Sequence, residues 1–175
     1  MIGVRGIGRD GFRVFDYDPR TARWARAALE RARDVAAQEA LRGPDNLRHG
    51  RTWFVGVDAL PNHADGSIAG VPLEGPWKEH VPQLPLHPAQ LSIIYQGYPQ
   101  QDRHESDSNH RFRRARAAAH VDGLLPIGPE RRRFAREYHA YILSLPLNDV
   151  AASPTVVWPK SQLIMQNALR HAFAG

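Results

Sequence analysis

Apolar residues recur with a helical period in the first clear element of the chain. Trp24, Ala28, Ala32 and Val35, joined by Ala25, Leu29 and Ala36, form one stripe, and Arg23, Arg26, Glu30, Arg33 and Asp34 cover the remaining surface. Asp18 supplies a capping oxygen, and Pro19 sits at the first helical position, where no amide hydrogen bond is lost. A helix is therefore predicted from Pro19 to Leu41, stopped by Gly43-Pro44-Asp45. The pattern then changes. Arg51 to Asp58 is rich in strand-forming residues and closed by turn residues, and Leu91 to Tyr95 repeats that character before Gly97-Tyr98-Pro99, so both are predicted strands. Between them, Ala59 to Pro88 is heavy in Pro and Gly, with one short helix expected over Pro76 to Leu84.

Beyond a polar loop from Gln100 to Asn109, Phe112 to Asp122 carries two conflicting signals. The Arg/Ala run from Arg113 to Ala119 favours helix by propensity, whereas placing His120 and Asp122 on one side requires a strand; the strand is taken here. Pro129 to Glu137 reads as a short basic helix anchored by Phe134. Tyr138 to Leu147 reads as a central strand, with Tyr141, Leu143 and Leu145 on one face and Ala140, Ile142 and Ser144 on the other. Thr155 to Trp158 is expected to form a further strand after the turn Ala151-Ala152-Ser153-Pro154. Ser161 then caps a terminal helix with Leu163, Ile164, Ala168, Leu169 and Ala172 on its apolar side and Met165 and Phe173 at the flanks. No repeat of twenty to fifty residues is present.

A chain of 175 residues with 42% hydrophobic and 23% charged residues is expected to be one globular domain, 1–175, of the α+β class. The absence of Cys excludes disulfides and thiolate metal sites. No apolar run in Met1 to Asp18 has the length of a signal peptide, and none later approaches a membrane span, which points to a cytoplasmic setting. The net charge of +5 comes from 21 Arg against 2 Lys, and eight of the Arg lie between Arg111 and Arg136. Guanidinium groups suit phosphate and carboxylate partners. This zone lacks interleaved aromatics for base stacking, and Asp122, Glu130 and Glu137 interrupt it, so a solvated face or a protein interface is favoured over nucleic acid. Arg111, Arg113, Arg114, Arg131 and Arg132 are the candidate interface residues.

The chemistry-bearing stretch is Ala118-Ala119-His120-Val121-Asp122-Gly123-Leu124. A His and an Asp two apart on a strand point from one face and can grip one divalent metal, with a second His needed from elsewhere to complete a facial triad for iron. The same residues also read as a strand-end His followed by an Asp that opens the Asp122-Gly123 turn. A second such pair, His63 and Asp65, lies in Pro61-Asn62-His63-Ala64-Asp65-Gly66, whose composition is that of a loop.

The succession Ala118-Ala119-His120-x-Asp122, Tyr141-Ile142-Leu143-Ser144-Leu145-Pro146-Leu147 and Val156-Val157-Trp158-Pro159-Lys160-Ser161-Gln162 resembles the phytanoyl-CoA dioxygenase family, over roughly Trp53 to Met165. That resemblance implies a double-stranded β-helix, or jelly roll, that binds Fe(II) and 2-oxoglutarate, with His120 and Asp122 as two of the iron ligands. It also places a Pro-Gly-Ser-His-like loop at Pro159-Lys160-Ser161-Gln162. The family's distal His ligand and 2-oxoglutarate-binding Arg lie on later strands, whereas this sequence ends at Gly175; His139 and His171 do not match the missing ligand. The expected fold is an incomplete jelly roll with N-terminal and C-terminal helices. Its open sheet would be covered by Ser161 to Phe173 or by another polypeptide.

Three functions follow as expectations. The first is an oxygenase-derived structural adaptor in a cytoplasmic assembly, with no cofactor of its own and with other protein chains as its partners. The Arg- and Ala-rich, oxygenase-like character gives this reading a specific form, because it looks like the proteins at the base of head spikes in phage-like gene transfer agents. The second is a working Fe(II)/2-oxoglutarate hydroxylase whose missing ligands come from a partner chain. The third is a basic module that binds a polyanion.

Overall fold

The structure, a computed structural model, describes residues 7, 9–116, 120–130, 132–135 and 140–173, and the side chains of all of these except 125, 126, 135 and 173. Helix α1 (Pro19–Ala37) begins as its sequence dictates. The Asp18 carboxylate accepts hydrogen bonds from the amides of Arg20 at 2.8 Å and Thr21 at 3.2 Å, satisfying donors that the first helical turn leaves free. Its buried stripe is Trp24, Ala25, Ala28, Ala32 and Val35. A 3-10 turn over Glu39–Leu41 ends the segment.

Strands β1 (Leu47–Arg48), β2 (Trp53–Leu60) and β3 (Ala89–Ile94) form an antiparallel sheet in the order β1-β2-β3. The β2 register pairs Phe54 with Leu47 on one side and with Ile93 on the other. Between Gly56 and Leu60 the pairing with β3 shifts, and Asp58 adopts a positive φ of 51° there. Small side chains along α1 let it lie close to the sheet, where Phe54, Leu47, Leu60 and Leu91 share one core with Trp24, Ala28 and Val35.

The Pro/Gly-rich connection from 61 to 88 completes that core instead of looping away from it. Ile68, Leu73 and Trp77 are buried, the last on a 3-10 turn at Pro76–Glu79, the part of the expected Pro76 to Leu84 helix that forms. Polar ties fix its path. The Trp24 indole donates to the Gly66 carbonyl at 2.8 Å, the Thr21 hydroxyl to the Glu74 carbonyl at 2.6 Å, and Asn62 both donates to the His87 carbonyl and accepts from the Ala89 amide. Gly66 is required at its position by a φ of 84° and by the leucine side chains packed where a Cβ would sit.

The second half departs from expectation in five places. Over its described residues Phe112 to Asp122 is not a strand: helix α2 (Asp107–Ala115) occupies its beginning, residues 117–119 lie outside the described residues, 120–121 carry no regular structure, and 122–123 form a turn. Propensity wins over the inferred alternation here, with Ser106 capping the Asn109 amide at 3.2 Å. Over the described residues of the expected basic helix at Pro129 to Glu137, 129–130 form a turn and 132–135 a strand, while 131, 136 and 137 lie outside the described residues. Strand β4 (Leu124–Ile127) pairs with β5 (Arg132–Ala135), and Gly128, with φ 72°, turns the chain between them. A local hairpin partner outweighs weak helix propensity in so short a segment.

Tyr138 to Leu147 is not a central strand over the described residues 140–147, yet its period of two is real. Tyr141, Leu143, Leu145 and Leu147 are half-buried while Ala140, Ile142, Ser144 and Pro146 are exposed, and the three leucines pack against the core. Among the described residues the segment joins no ladder. Thr155 to Trp158 likewise forms no strand and is exposed. Helix α3 (Ser161–Phe173) occupies the span expected, but Ser161 is its first residue, and Met165 and Leu169 turn inward while Leu163 and Ile164 face solvent. The described residues thus form an α+β fold, a three-stranded sheet covered by α1 plus a separate hairpin. No described helix is long and apolar enough to cross a membrane.

Candidate functional site

The densest polar constellation sits where the β1–β2 turn meets the loop and helix that follow β3. The turn runs His49-Gly50-Arg51-Thr52, closed by the Thr52 amide donating to the His49 carbonyl at 3.1 Å, with the Thr52 hydroxyl adding a second bond at 2.5 Å. Its φ angles are 51° at His49, 59° at Gly50 and 67° at Arg51. Positive φ at both central residues matches the right-handed twist of the flanking strands. Glycine meets that need freely, and here it also admits Gln100, whose side chain lies 2.9 Å from where a Cβ would stand. His49 and Arg51 do not, and a non-glycine residue so placed costs about 1–3 kcal/mol unless its surroundings hold it.

Those surroundings come from far along the sequence. The Asp102 carboxylate accepts the Gly50 amide at 2.7 Å with one oxygen and Arg113 at 2.8 Å with the other. Arg113 Nη1 also reaches Glu105 at 2.7 Å, and its Nη2 lies 2.8 Å from His49 Nδ1. Glu105, only 3% exposed, takes a further bond from Asn109 and faces His110 Nδ1 at 3.2 Å. Placing a carboxylate so far from water is costly unless donors of this kind surround it. On the other side of His49 stand the rings of Trp53 and Tyr98, with centroids 5.5 and 5.3 Å away, and the Arg48 guanidinium lies over Trp53.

The electrostatics follow from the contacts. Burial pushes the His49 imidazole below the ordinary histidine range, and the neighbouring Arg113 charge adds to that. Asp102 is held below the usual carboxylate range by the Gly50 amide and then by Arg113. Arg113 is raised: burial works against its charge, but the hydrogen bond to Asp102 and the charges of Glu105 and Asp102 outweigh it. An open groove of about 610 Å³ runs beside the network, lined by Arg48, Arg103, His104, Asn109 and Arg113 among others.

His120 and Asp122 are brought together as the sequence suggests, but by a turn. His120 Nε2 lies 3.2 Å from an Asp122 carboxylate oxygen just before β4, and both side chains are exposed, at 69% and 47%. Gly123 follows with φ 77°, so Asp122 opens a turn. Two exposed donors in contact with each other do not make an iron triad, and among the described residues no group of three His, Cys, Asp or Glu is placed to hold a metal. His63 and Asp65 form the expected loop, with Asp65 accepting the Ser67 amide at 2.8 Å.

The interface arginines divide. Arg111 and Arg114 are exposed on α2, beside a shallow hollow that includes Ala115. Arg113 points inward to its carboxylates, Arg132 is exposed and pairs with Glu130 at 2.9 Å, and Arg131 lies outside the described residues. Sequence reasoning missed His49, Asp102, Glu105 and His110. The signal available was Ser106-Asp107-Ser108-Asn109, a helix start inside what reads as a polar loop. No protein family, curated protein or solved structure matches the chain.

Proposed function

We propose that the chain is an oxygenase-derived structural or adaptor protein that works by docking to other protein chains of a larger assembly. One observation carries this reading. Ile142, Val150, Val156, Val157, Trp158, Leu163 and Ile164 are all between 47% and 69% exposed, six of the seven within fifteen consecutive residues, on a segment whose 148–158 portion forms no regular element. Isolated exposed apolar residues are ordinary, but their concentration along one segment of the chain supports an interaction surface. The incomplete jelly-roll ancestry and the specific role at the base of a gene transfer agent head spike belong to this proposal through the sequence resemblance.

A second reading has its own observation, the approach of His120 to Asp122 within 3.2 Å, which favours an Fe(II)/2-oxoglutarate hydroxylase completed in trans. One preparation separates them. The full chain is purified, and its oligomeric state, bound iron and succinate production from 2-oxoglutarate are measured. The adaptor reading expects self-association or capture into a defined complex, no succinate, and at least tenfold weaker association in Trp158→Ser. An iron-loaded monomer that makes succinate overturns it.

A further inference from the structure

Helix α2 buries none of its side chains, so no apolar anchor holds it to the sheet. Three polar contacts link it and its preceding loop to the β1–β2 turn. Arg113 Nη2 meets His49 Nδ1 at 2.8 Å, Asp102 accepts the Gly50 amide at 2.7 Å, and the Gln100 amide donates to the Thr52 hydroxyl at 3.3 Å. A guanidinium has donors only. The short Arg113 contact therefore requires a lone pair on His49 Nδ1, which fixes the imidazole as neutral with its proton on Nε2. A proton at Nδ1 would remove that acceptor and set an imidazolium against a guanidinium at hydrogen-bonding distance. We infer that the His49–Arg113 contact is an acid-sensitive latch: with His49 neutral it fastens α2 to the β1–β2 turn, and protonation of His49 unfastens it.

The groups around His49 decide the sign. Arg113 and His110 face it from α2, Asp102 and Glu105 from the preceding loop, and Arg48 and Arg51 flank it on its own hairpin. The two carboxylates favour an imidazolium; burial and Arg113 oppose it more strongly, so the folded imidazole binds its proton at lower pH than the unfolded one. A histidine depressed in this way contributes stability that is complete above its unfolded value, near 6.5, and is lost as pH falls toward the folded value. Asp102 is held low and stays ionised throughout that window. The backbone favours release as well. The positive φ at His49 and Arg51 persists only while the neighbours hold the turn, so unfastening relieves it. The latch is independent of the adaptor reading and of the His120–Asp122 pair.

The test uses the full chain labelled with nitrogen-15. Imidazole nitrogen shifts report the His49 tautomer and its titration, and exchange of the Gly50 amide, corrected for intrinsic rates, reports opening. At pH 7.5 His49 should carry its proton on Nε2. Below pH 6.5 the Gly50 protection should fall by up to about tenfold per pH unit until the folded value is passed. His49→Asn keeps an acceptor close to the Nδ1 position and tolerates positive φ, so its protection should stay flat from pH 8 to 5. A proton on Nδ1 at pH 7.5, flat protection in the parent chain, or an equal fall in His49→Asn each overturns the latch. Should His49→Asn not fold, the tautomer and titration of the parent chain decide alone.

Discussion

Two tryptophans in one core give a clean measure of a single hydrogen bond. Trp24 and Trp77 are both about 5% exposed, and Trp24 Nε1 donates to Gly66 while Trp77 Nε1 has no hydrogen-bond partner among the described residues. Trp→Phe at each removes similar apolar surface, but only Trp24→Phe leaves a carbonyl without its donor. Trp24→Phe should therefore lower stability by about 1–3 kcal/mol more than Trp77→Phe, read from urea midpoints, and equal losses would mean the Gly66 bond contributes nothing net. At the same scale, Asp18 is held down to about 2 by Arg20, with the Thr21 and Arg20 amides helping. Its folded value lies below the ordinary 3.8, so its contribution is full above about pH 4 and is lost as pH falls through 2. Nuclear magnetic resonance titration of its side-chain carbon should show that midpoint, and Asp18→Ala should remove this part of the acid dependence.

At the scale of elements, α1 and the sheet are held by apolar packing, whereas α2 is held by charge. Arg113→Met should undo α2 selectively. It strips Glu105, 3% exposed, of its main counter-charge, and breaking a pair around so buried a carboxylate costs about 3 kcal/mol. Adding Glu105→Gln should recover part of the loss, because the uncompensated charge then disappears. Amide exchange should show the damage in α2 and the β1–β2 turn, with α1 unaffected. The same division explains what was legible in the sequence. The Asp18-Pro19 start and the stripe from Trp24 to Val35 are local signals, as are the strand formers of β2 and β3, and each element forms there with shifted ends: α1 stops at Ala37 rather than Leu41, β2 runs Trp53–Leu60 rather than Arg51–Asp58, and β3 runs Ala89–Ile94 rather than Leu91–Tyr95. The alternation of Tyr141, Leu143 and Leu145 was legible too, but whether an extended segment finds a ladder partner depends on distant backbone that periodicity does not encode. The His49 network was not legible, since Arg113 lies 64 residues from His49 and only the tertiary fold makes them neighbours.

At the scale of the whole molecule, the core is unevenly distributed along the chain. Every buried hydrophobic residue among those described lies between Trp24 and Leu91, and beyond β3 the described residues that pack against it are Leu143, Leu145 and Leu147. From Asn148 to Trp158 the side chains are exposed and no strand or helix protects the backbone. Local opening there has little packing or hydrogen bonding to overcome, whereas cleavage between Pro19 and Ile94 requires the shared core of α1 and the sheet to come apart. Thermolysin, which cuts before large apolar residues, should therefore act first at Val150, Val156 or Val157, well before any site between Pro19 and Ile94. If this segment is the docking surface of the adaptor, its cleavage should slow markedly once the chain is in its assembly, while the rate in the core stays the same. First cuts within α1 or β2 would show that the core is not the stable unit of the fold. Unchanged cleavage at Val156 and Val157 in the assembled state would move the docking surface elsewhere, and the exposed arginines of α2, Arg111 and Arg114, would be the next surface to test by charge reversal.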